Sequence, residues 1–426
     1  MTRMATALPI LQAAAGLGES AAPWPLRAPA HRDLCTDCGL SRTALARRCG
    51  QACQFIAPEY ERLERATHGR ARDPRRPDEL HFGPFVEMVR ARLRRPADGA
   101  QWSGITTRVA ERLLETGRVD AVIATAARDD DRWAPRPVLV RRAADMAQCR
   151  GMKMGFSPVL ALLEQAAAEG MTRLAIVGVP CQVHALRAVE RELGLEALYV
   201  IGTPCSDNTT TERFHAFLAL LAERPDDVTY LEFRTDMRVE LRFRDGERRF
   251  IPFPKLPIEQ LQGDFLPLTC RSCFDYANAL ADVTVGYVGG DGEQWLLVRN
   301  ARGRELLDLV QSELVTTPLT SGGRRARVVR AFIAMSARAR GGLPVRRAPR
   351  WARPLIGWMM RHLGPRGLEF ARARIEMKLA EGVLSLRHER PRRVRRLVPP
   401  HAWTLLDAYG IRPAADERPT VRGGDA

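Results

Sequence analysis

The stretch MTRLAIVGVPCQVHALRAVERELG, residues 171–194, decides the fold class of this chain. Its apolar run at residues 174–177 is broken by Gly178 and Pro180, and apolar residues then recur at helical spacing up to Leu193. A second apolar run follows at once in LYVIGTPC, residues 198–205. Strand, helix and strand in this order predict a parallel α/β unit. Functional groups are expected at the carboxyl ends of such strands, where Cys181 and Cys205 lie.

Other segments predict a mixed sheet around this unit. Helical spacing predicts a helix over residues 105–113, and an apolar run predicts a strand at 120–126. Alternating residues at 228–251 predict an antiparallel hairpin with Asp245-Gly246 as its turn. Two strands are expected within 282–299 and a helix over 302–312. The fold class predicted is therefore α/β with α+β character, a parallel unit joined to an antiparallel hairpin.

Composition excludes several classes of protein. The chain has 426 residues with 45% hydrophobic content, enough for a sizeable core. No apolar run approaches the roughly 20 residues that span a bilayer, and no signal-peptide core is present, so we expect a cytoplasmic protein. The net charge of +16 is concentrated in residues 321–400, which hold 21 Lys or Arg against 4 Asp or Glu. Since no nucleic-acid-binding motif accompanies these residues, we expect no nucleic-acid partner.

Eight of the nine cysteines fall into two sets of four. We call the local one the first set (Cys35, Cys38, Cys49 and Cys53) and the dispersed one the second set (Cys181, Cys205, Cys270 and Cys273). Four thiolates complete either a tetrahedral zinc site or an iron–sulfur cluster, and the spacing leaves both open. The ninth, Cys149, is expected to be a small buried side chain. No G-x-G-x-x-G after a strand, P-loop, H-E-x-x-H or G-x-S-x-G is present, which disfavours classical dinucleotide, kinase and hydrolase sites.

Several longer motifs occur together in one order. They are CTDCGL (35–40), ACQF (52–55), QWSGITT (101–107), RPVLVR (136–141), GVPCQVHALRAVE (178–190), GTPCSDN (202–208), CRSCFDYANALADVTVGY (270–287) and GLEFAR (367–372). In this the chain resembles the iron–sulfur flavoproteins related to the β subunit of deazaflavin-coenzyme hydrogenase. The likeness is greatest to the branch of ferredoxin-dependent divinyl chlorophyllide 8-vinyl reductase and 7-hydroxymethyl chlorophyll a reductase.

The resemblance implies FAD and two 4Fe-4S clusters, one held by each cysteine set. At the first set, relatives have Cys-x2-Cys-x2-Cys, whereas this chain has Ser41 at the third position. We infer that Cys49 replaces the missing thiolate. Ser41 as an oxygen ligand, or a three-iron cluster, stays open as the alternative.

The segments RGMKMGFSP (150–158) and QWSGITT resemble the flavin-holding segments of the family. They give the candidate flavin-binding residues Gly104, Thr106, Thr107, Lys153 and Ser157. The first three lie where a helix N-terminus could hold a pyrophosphate. Ordinary helix capping by the threonines, and a solvated surface charge at Lys153, are the alternatives.

Composition and the resemblance together divide the chain into five predicted segments. They are a flexible leader (1–30), an N-terminal iron–sulfur segment (31–100), a flavin-binding domain (101–170), a catalytic and cluster domain (171–340) and a basic C-terminal extension (341–426).

The function that the resemblance implies is ferredoxin-dependent reduction of the 8-vinyl group of divinyl chlorophyllide, or protochlorophyllide, to ethyl. The alternatives are a 7-hydroxymethyl chlorophyll a reductase, a deazaflavin-dependent oxidoreductase and a non-catalytic electron-relay β subunit. A reduction of this kind needs a proton donor, for which Asp207 and Tyr276 are the candidates, with Asp275 and His184 also considered.

The basic residues at 321–400 predict a docking surface for an acidic ferredoxin. Two alternatives stay open: an amphipathic helix at 351–364 on the periphery of an anionic photosynthetic membrane, and a solvated Arg-rich tail. Self-association into a homo-oligomer also stays open.

Overall fold

A computed structural model of the chain describes residues 34–418, except 235, 262, 288–291 and 341–348, and except the side chains of 350, 360 and 361. The leader predicted for residues 1–30 lies outside the described residues. The described strands are β1 (Glu87–Leu93), β2 (Ala121–Ala127), β3 (Pro135–Val140), β4 (Arg173–Gly178), β5 (Ala197–Gly202), β6 (Val228–Phe233), β7 (Arg238–Phe243), β8 (Arg248–Pro252), β9 (Val283–Tyr287), β10 (Gln294–Val298), β11 (Leu314–Thr317), β12 (Ser321–Gly322) and β13 (Arg366–Gly367).

The helices of two turns or more are α1 (Tyr60–His68), α2 (Ile105–Glu115), α3 (Leu162–Ala168), α4 (Pro180–Leu193), α5 (Thr211–Leu221), α6 (Ala301–Asp308), α7 (Arg325–Ala339), α8 (Arg353–Leu363), α9 (Leu368–Glu389) and α10 (Pro400–Asp407). Shorter helical turns are Cys49–Ala52, Glu79–Phe82, Leu268–Arg271 and Val394–Leu397. In this part of the chain no helix is both long and apolar enough to cross a bilayer.

An eight-stranded mixed sheet forms the centre of the molecule, in the order β11-β1-β10-β9-β5-β4-β2-β3. Strands β2, β4, β5 and β9 run parallel to one another, and the other pairings are antiparallel. The predicted α/β fold class and its parallel unit β4–α4–β5 are thereby confirmed. Because Gly178 pairs with Gly202 at the last position of β4 and β5, the loops that follow leave the sheet side by side.

The predicted hairpin proves to be part of a separate three-stranded antiparallel sheet, β6-β7-β8. The predicted turn at Asp245-Gly246 is confirmed: Gly246 has a φ of +89°, and the Asp245 carboxylate accepts the backbone N–H of Glu247 at 2.9 Å. All three strands contribute side chains to one cluster with Phe214 and Phe217 of α5, among them Leu231, Leu241 and Ile251.

One helix is shorter than the sequence predicts, and the C-terminal segment contains a long helix that the sequence analysis did not predict. Helix α6 ends at Asp308, before the expected residue 312, and residues 311–313 form a single 3-10 turn that leads into β11. Within the C-terminal segment, α9 packs into the core through Ile375, Leu379 and Val383. The short antiparallel pair β12–β13 joins the residues on either side of α7 and α8.

Candidate active site

A cavity of about 330 Å³ opens at the carboxyl ends of β4 and β5. This is where ligands bind in open α/β sheets, and the volume lies within the usual range for ligand pockets. Its walls contain every candidate flavin-binding residue and all four cysteines of the second set: Gly104, Thr106, Thr107, Lys153, Ser157, Cys181, Cys205, Cys270 and Cys273. Residues more than 160 positions apart in the chain therefore share one pocket.

One asparagine links the three segments of the chain that carry the cysteines of the second set. Asn278 Nδ2 donates to the carbonyl oxygen of Gly178, at the end of β4, at 2.8 Å, and to that of Thr203, after β5, at 3.2 Å. Asn278 is fully buried, and its φ of +55° is in the left-handed region that asparagine tolerates. It follows the Cys270–Cys273 turn in sequence, so its two hydrogen bonds fix that turn against the end of β4, just before Cys181 in α4, and against the loop that carries Cys205.

The thiols of the second set are in an environment that opposes their ionisation. Burial raises the pKa of Cys270 to about 12 and that of Cys273 to about 11, although Lys378 opposes the rise at both. Burial, and then the neighbouring thiols, also raise the pKa of Cys181 and Cys205. Left alone, these side chains are protonated at neutral pH. Only a cation that binds sulfur would make four thiolates stable there.

A buried lysine from the C-terminal segment reaches this site. Lys378 Nζ, on α9, donates to the carboxylate of Asp207 and to the carbonyl oxygen of Cys270, and lies 3.3 Å from Glu381 Oε2. Burial alone would lower the pKa of Lys378, but the carboxylates of Asp207 and Glu381 outweigh it and raise the pKa. Sequence analysis did not select Lys378, since a single lysine 171 positions from Asp207 gives no local signal.

The first set surrounds a second, smaller cavity, which all four of its cysteines line together with Ser41. Cys49 begins the helical turn Cys49–Ala52 and is buried. Burial raises the pKa of the Cys38 thiol, a backbone hydrogen bond opposes this, and the neighbouring thiols of Cys53, Cys49 and Cys35 raise it further. The structure thus brings Cys49 to the other three cysteines and leaves Ser41 at the same wall.

The two cavities are in contact. Cys181, Thr36, Gln54 and Phe55 line both of them. Gln54, next to Cys53, donates from Nε2 to the sulfur of Cys273 at 3.4 Å. The two groups of thiols therefore lie on either side of a wall to which Thr36, Gln54, Phe55 and Cys181 contribute.

The opposite wall of the larger cavity carries the positive end of a helix and a lysine. Helix α2 begins after Gly104, whose φ is +90°, and no acidic residue is in its first turn. Lys153 Nζ donates to the carbonyl oxygens of Arg150 at 2.6 Å and Gly151 at 3.3 Å. Burial, together with Arg132, lowers the pKa of Lys153 to about 8, although Cys149 opposes this. Both features favour an anionic ligand.

Side chains that the sequence analysis did not select hold this wall in place. Gln182 Nε2 donates to the carbonyl oxygen of Ser157 at 2.8 Å, and Ser157 Oγ lies 3.1 Å from Thr125 Oγ1. Asn208 Nδ2 donates to the carbonyl oxygen of Gly155 at 2.6 Å. The flavin-like segment is thereby tied to α4 and to the loop after β5, which also carry Cys181 and Cys205.

Of the four proton-donor candidates, Asp207 lines the cavity and the other three do not. Tyr276 is 9% exposed and belongs to the hydrophobic core, where its backbone carbonyl accepts the N–H of Cys205 at 3.1 Å. The carboxylate of Asp275 accepts the backbone N–H of Ala279, and His184 Nδ1 lies 2.9 Å from the carbonyl oxygen of Ala52. The side chains of Asp275 and His184 thus have backbone partners, and that of Tyr276 packs in the core.

The donor chemistry fits clusters better than a single ion. Among the described residues, no group of three or more His, Cys, Asp or Glu side chains could hold one metal ion. In a 4Fe-4S cluster each of four irons takes one cysteine thiolate, so the sulfurs stand around a group rather than around a point. Two groups of four thiols, each around a cavity, match that requirement. The anionic pyrophosphate of FAD in turn matches the Lys153 and α2 wall.

A mixed α/β fold with two adjoining thiol-lined cavities, one of which has an anion-binding wall, is typical of electron-transferring oxidoreductases. Residues 88–164 match the N-terminal domain, and residues 171–321 the C-terminal domain, of the family described as coenzyme F420 hydrogenase/dehydrogenase, beta subunit. The chain belongs to this β-subunit family, which confirms the predicted resemblance.

Three relatives show how far the similarity extends. The chain is 40% identical over 386 residues to an uncharacterized protein of Nostoc sp. The aligned region covers 90% of this chain and 95% of that protein. It is 38% identical over 392 residues to the chloroplastic 7-hydroxymethyl chlorophyll a reductase of Oryza sativa subsp. japonica, covering 89% of this chain and 83% of the relative. A chain of the F420-reducing NiFe hydrogenase complex from Methanosarcina barkeri aligns with a TM-score of 0.50 and 25% identity, over 58% of this chain and 85% of that one.

Proposed function

We propose that this protein is a ferredoxin-dependent reductase of a chlorophyll-type pigment, and that it converts the 8-vinyl group of divinyl chlorophyllide or protochlorophyllide to ethyl. The observation that carries the proposal is the single cavity shared by the second cysteine set and the anion-binding wall. One pocket would therefore bring a site that takes up electrons next to a site that holds an organic ligand.

The cysteine sets would each hold a 4Fe-4S cluster, and the larger cavity would hold FAD. A flavin accepts electrons one at a time and passes them on in pairs, which a ferredoxin alone does not do. Lys153 and the N-terminus of α2 would hold the flavin pyrophosphate by charge and by backbone N–H groups. Ser157, fixed by Gln182 and Thr125, would position the flavin-like segment beside the second set.

Reduction of a vinyl group to an ethyl group consumes two electrons and two protons. Asp207 is the proton-donor candidate that lines the cavity, and its carboxylate is held by Lys378 Nζ. We propose that this pair delivers a proton to the pigment. Tyr276, placed in the core, is retained only as a residue whose backbone positions Cys205.

A second candidate function is supported by the rice relative. Its identity of 38% over 83% of its length favours reduction of a 7-hydroxymethyl group to methyl with release of water. That reaction also takes two electrons and two protons, so the same arrangement of residues would serve either substrate.

The test is an anaerobic assay of the purified protein with reduced ferredoxin and each pigment in turn. Loss of the 8-vinyl group, followed as a blue shift of the Soret band and by mass spectrometry, is the expected result. Turnover of 7-hydroxymethyl chlorophyll a alone would select the second candidate. Reduction of a deazaflavin coenzyme with no pigment turnover would contradict both.

The electron donor is tested through the exposed arginines at 392, 393, 395 and 396, around the helical turn Val394–Leu397. Replacing all four by Gln should raise the Michaelis constant for ferredoxin by about 10-fold at low salt and flatten its salt dependence. Turnover with a small chemical reductant should not change. Ferredoxin kinetics that stay constant from low to moderate salt in the unaltered protein would contradict this docking site.

A further inference from the structure

Helix α8 and the turn before it carry more than half of the large apolar side chains that are exposed in the described part of the chain. Five of the nine large hydrophobic residues that are exposed lie there: Trp351 (80%), Leu355 (57%), Trp358 (53%), Met359 (40%) and Leu363 (60%). Exposed side chains of this size are normally scattered singly over a protein surface. Their concentration within 13 residues indicates a binding surface.

These side chains share one face of the helix. Within α8, Leu355, Trp358 and Met359 are spaced i, i+3 and i+4, which places them on one stripe, and Trp351 lies in the 3-10 turn just before the helix. Gly357 lies on the opposite side, where an added Cβ would meet Pro254 Cγ at 3.8 Å. Pro254 belongs to the 3-10 turn Phe253–Lys255, which follows the three-stranded sheet and contacts α8. The helix is therefore held to the protein by one face and presents the apolar face outward.

The surrounding charge has a single sign. Residues 314–368 contain 12 arginines and no aspartate, glutamate or lysine. The β12–β13 pair brings Gly322 opposite Arg366, so the chain before α7 and the chain after α8 lie side by side. Arg327, Arg330 and Arg338 of α7 are exposed. The apolar face of α8 thus belongs to a stretch of sequence that carries arginines and no carboxylates.

We propose that the outward face of α8 binds an anionic membrane surface, with Trp351 and Trp358 inserted at the level of the lipid headgroups. Tryptophan is enriched at that level, and amphipathic helices with basic flanks lie in the interface plane of anionic bilayers. Each arginine near such a surface adds attraction to the lipid charge.

The residues at the contact favour lipid over an acidic protein. An acidic protein would need arginines at the centre of the contact, whereas the outward stripe of α8 is formed by Trp, Leu and Met. In a bilayer interface the apolar stripe enters the acyl boundary while flanking arginines stay among the phosphates. This membrane binding does not depend on the proposed reaction.

The experiment is flotation of the full chain with vesicles, either of mixed phosphatidylglycerol and phosphatidylcholine or of phosphatidylcholine alone. The unaltered protein should bind the anionic vesicles at least about 10-fold more tightly than the neutral ones, and less tightly at high salt. The double variant Trp351→Ser and Trp358→Ser should lose about 10-fold or more of the affinity for anionic vesicles. The matched control is Val86→Ser with Leu220→Ser, two exposed apolar side chains elsewhere, and it should bind as the parent does.

Three results would overturn the proposal: no binding of the unaltered protein to anionic vesicles, equal binding by the tryptophan variant, or equal loss in the control. A higher Michaelis constant for ferredoxin in the tryptophan variant, with vesicle binding unchanged, would also overturn it and assign the face to the donor protein. Thermal unfolding of each variant separates loss of binding from loss of folding. Since vesicle binding is measured without pigment, failure of the pigment assay would leave this test unaffected.

Discussion

The two cysteine sets are assembled in opposite ways. The first set comes from residues 35–53, and its backbone consists of short 3-10 and helical turns. The second set comes from three segments that meet at the carboxyl ends of β4 and β5. Asn278 and the β4–β5 register hold these segments in place. The prediction that Cys49 takes the place of a cysteine at position 41 requires a ligand that can change its position along the chain, which a locally formed set allows. A set fixed by a sheet has no such freedom.

The sharpest test of this contrast is Cys205→Ala. Because the β4–β5 register fixes the start of the loop that carries Cys205, any iron bound at the second set should be lost. Pigment reduction with ferredoxin should fall by at least about 100-fold. The measurements are iron content and anaerobic turnover. The matched control is Cys149→Ala, which removes a thiol from the same cavity and should leave both values unchanged. Full iron content in Cys205→Ala would contradict the view that the sheet leaves the second set no alternative ligand.

The first set is tested by comparing Cys49→Ala with Ser41→Ala. If two 4Fe-4S clusters are bound, Cys49→Ala should reduce iron from about eight to about four per chain, or to about seven if a three-iron cluster survives. Ser41→Ala should leave it unchanged. Iron analysis and electron paramagnetic resonance of the reduced protein distinguish these results. The reverse pattern would assign the fourth ligand to Ser41.

Removal of the link between the loops measures how far the second set depends on the sheet. Asn278→Gly keeps the left-handed backbone and deletes two buried hydrogen bonds, so unfolding should become about 1–3 kcal/mol easier. Iron at the second set should become labile to chelators, while the first set keeps its iron. The control, Asn300→Gly, removes the capping residue of α6, whose side chain accepts the backbone N–H of Gly303. It should cost stability without making the iron labile.

The smallest effect concerns the anion-binding wall beside the second set. Lys153→Met should weaken FAD binding by about 10-fold, which is the loss of one charge-assisted hydrogen bond. In the unaltered protein the pKa of Lys153 is about 8, and an anionic ligand would raise it. FAD affinity should therefore be constant below pH 8 and fall as pH rises through 8, whereas the variant should show no such fall. Fluorescence titration of the apoprotein with FAD at a series of pH values gives the affinity of both proteins. The same pH dependence in the two proteins would show that Lys153 does not bind FAD.

Sequence analysis found the features that are local in the chain. The β4–α4–β5 unit, the Asp245-Gly246 turn and the cysteines at the strand ends follow from periodicity and from the chemistry of single residues. The family resemblance added the flavin segments, whose five candidate residues the structure places at one cavity.

What the sequence could not reveal depends on contacts between distant segments. Lys378 meets Asp207 only because α9 packs across the site, and no pattern near either residue predicts the pair. Tyr276 was selected for its closeness to the cysteines in sequence, yet its side chain turns into the core. The sequence predicted a hairpin over residues 228–251, and only the pairing of both β6 and β8 with β7 shows that the sheet has three strands.

The Asn278 link also has a consequence in time. Its hydrogen bonds need β4, β5 and the turn that begins at Leu268 to be in place together, and such long-range contacts form late in folding. We therefore expect the four cysteines of the second set to come together only after most of residues 171–287 have folded. The cysteines of the first set are close in sequence, but Cys181 and Ala185 also line their cavity, and the N–H of Leu160 donates to the carbonyl oxygen of Cys38. We therefore expect that neither cavity is complete until β4 and α4 have folded.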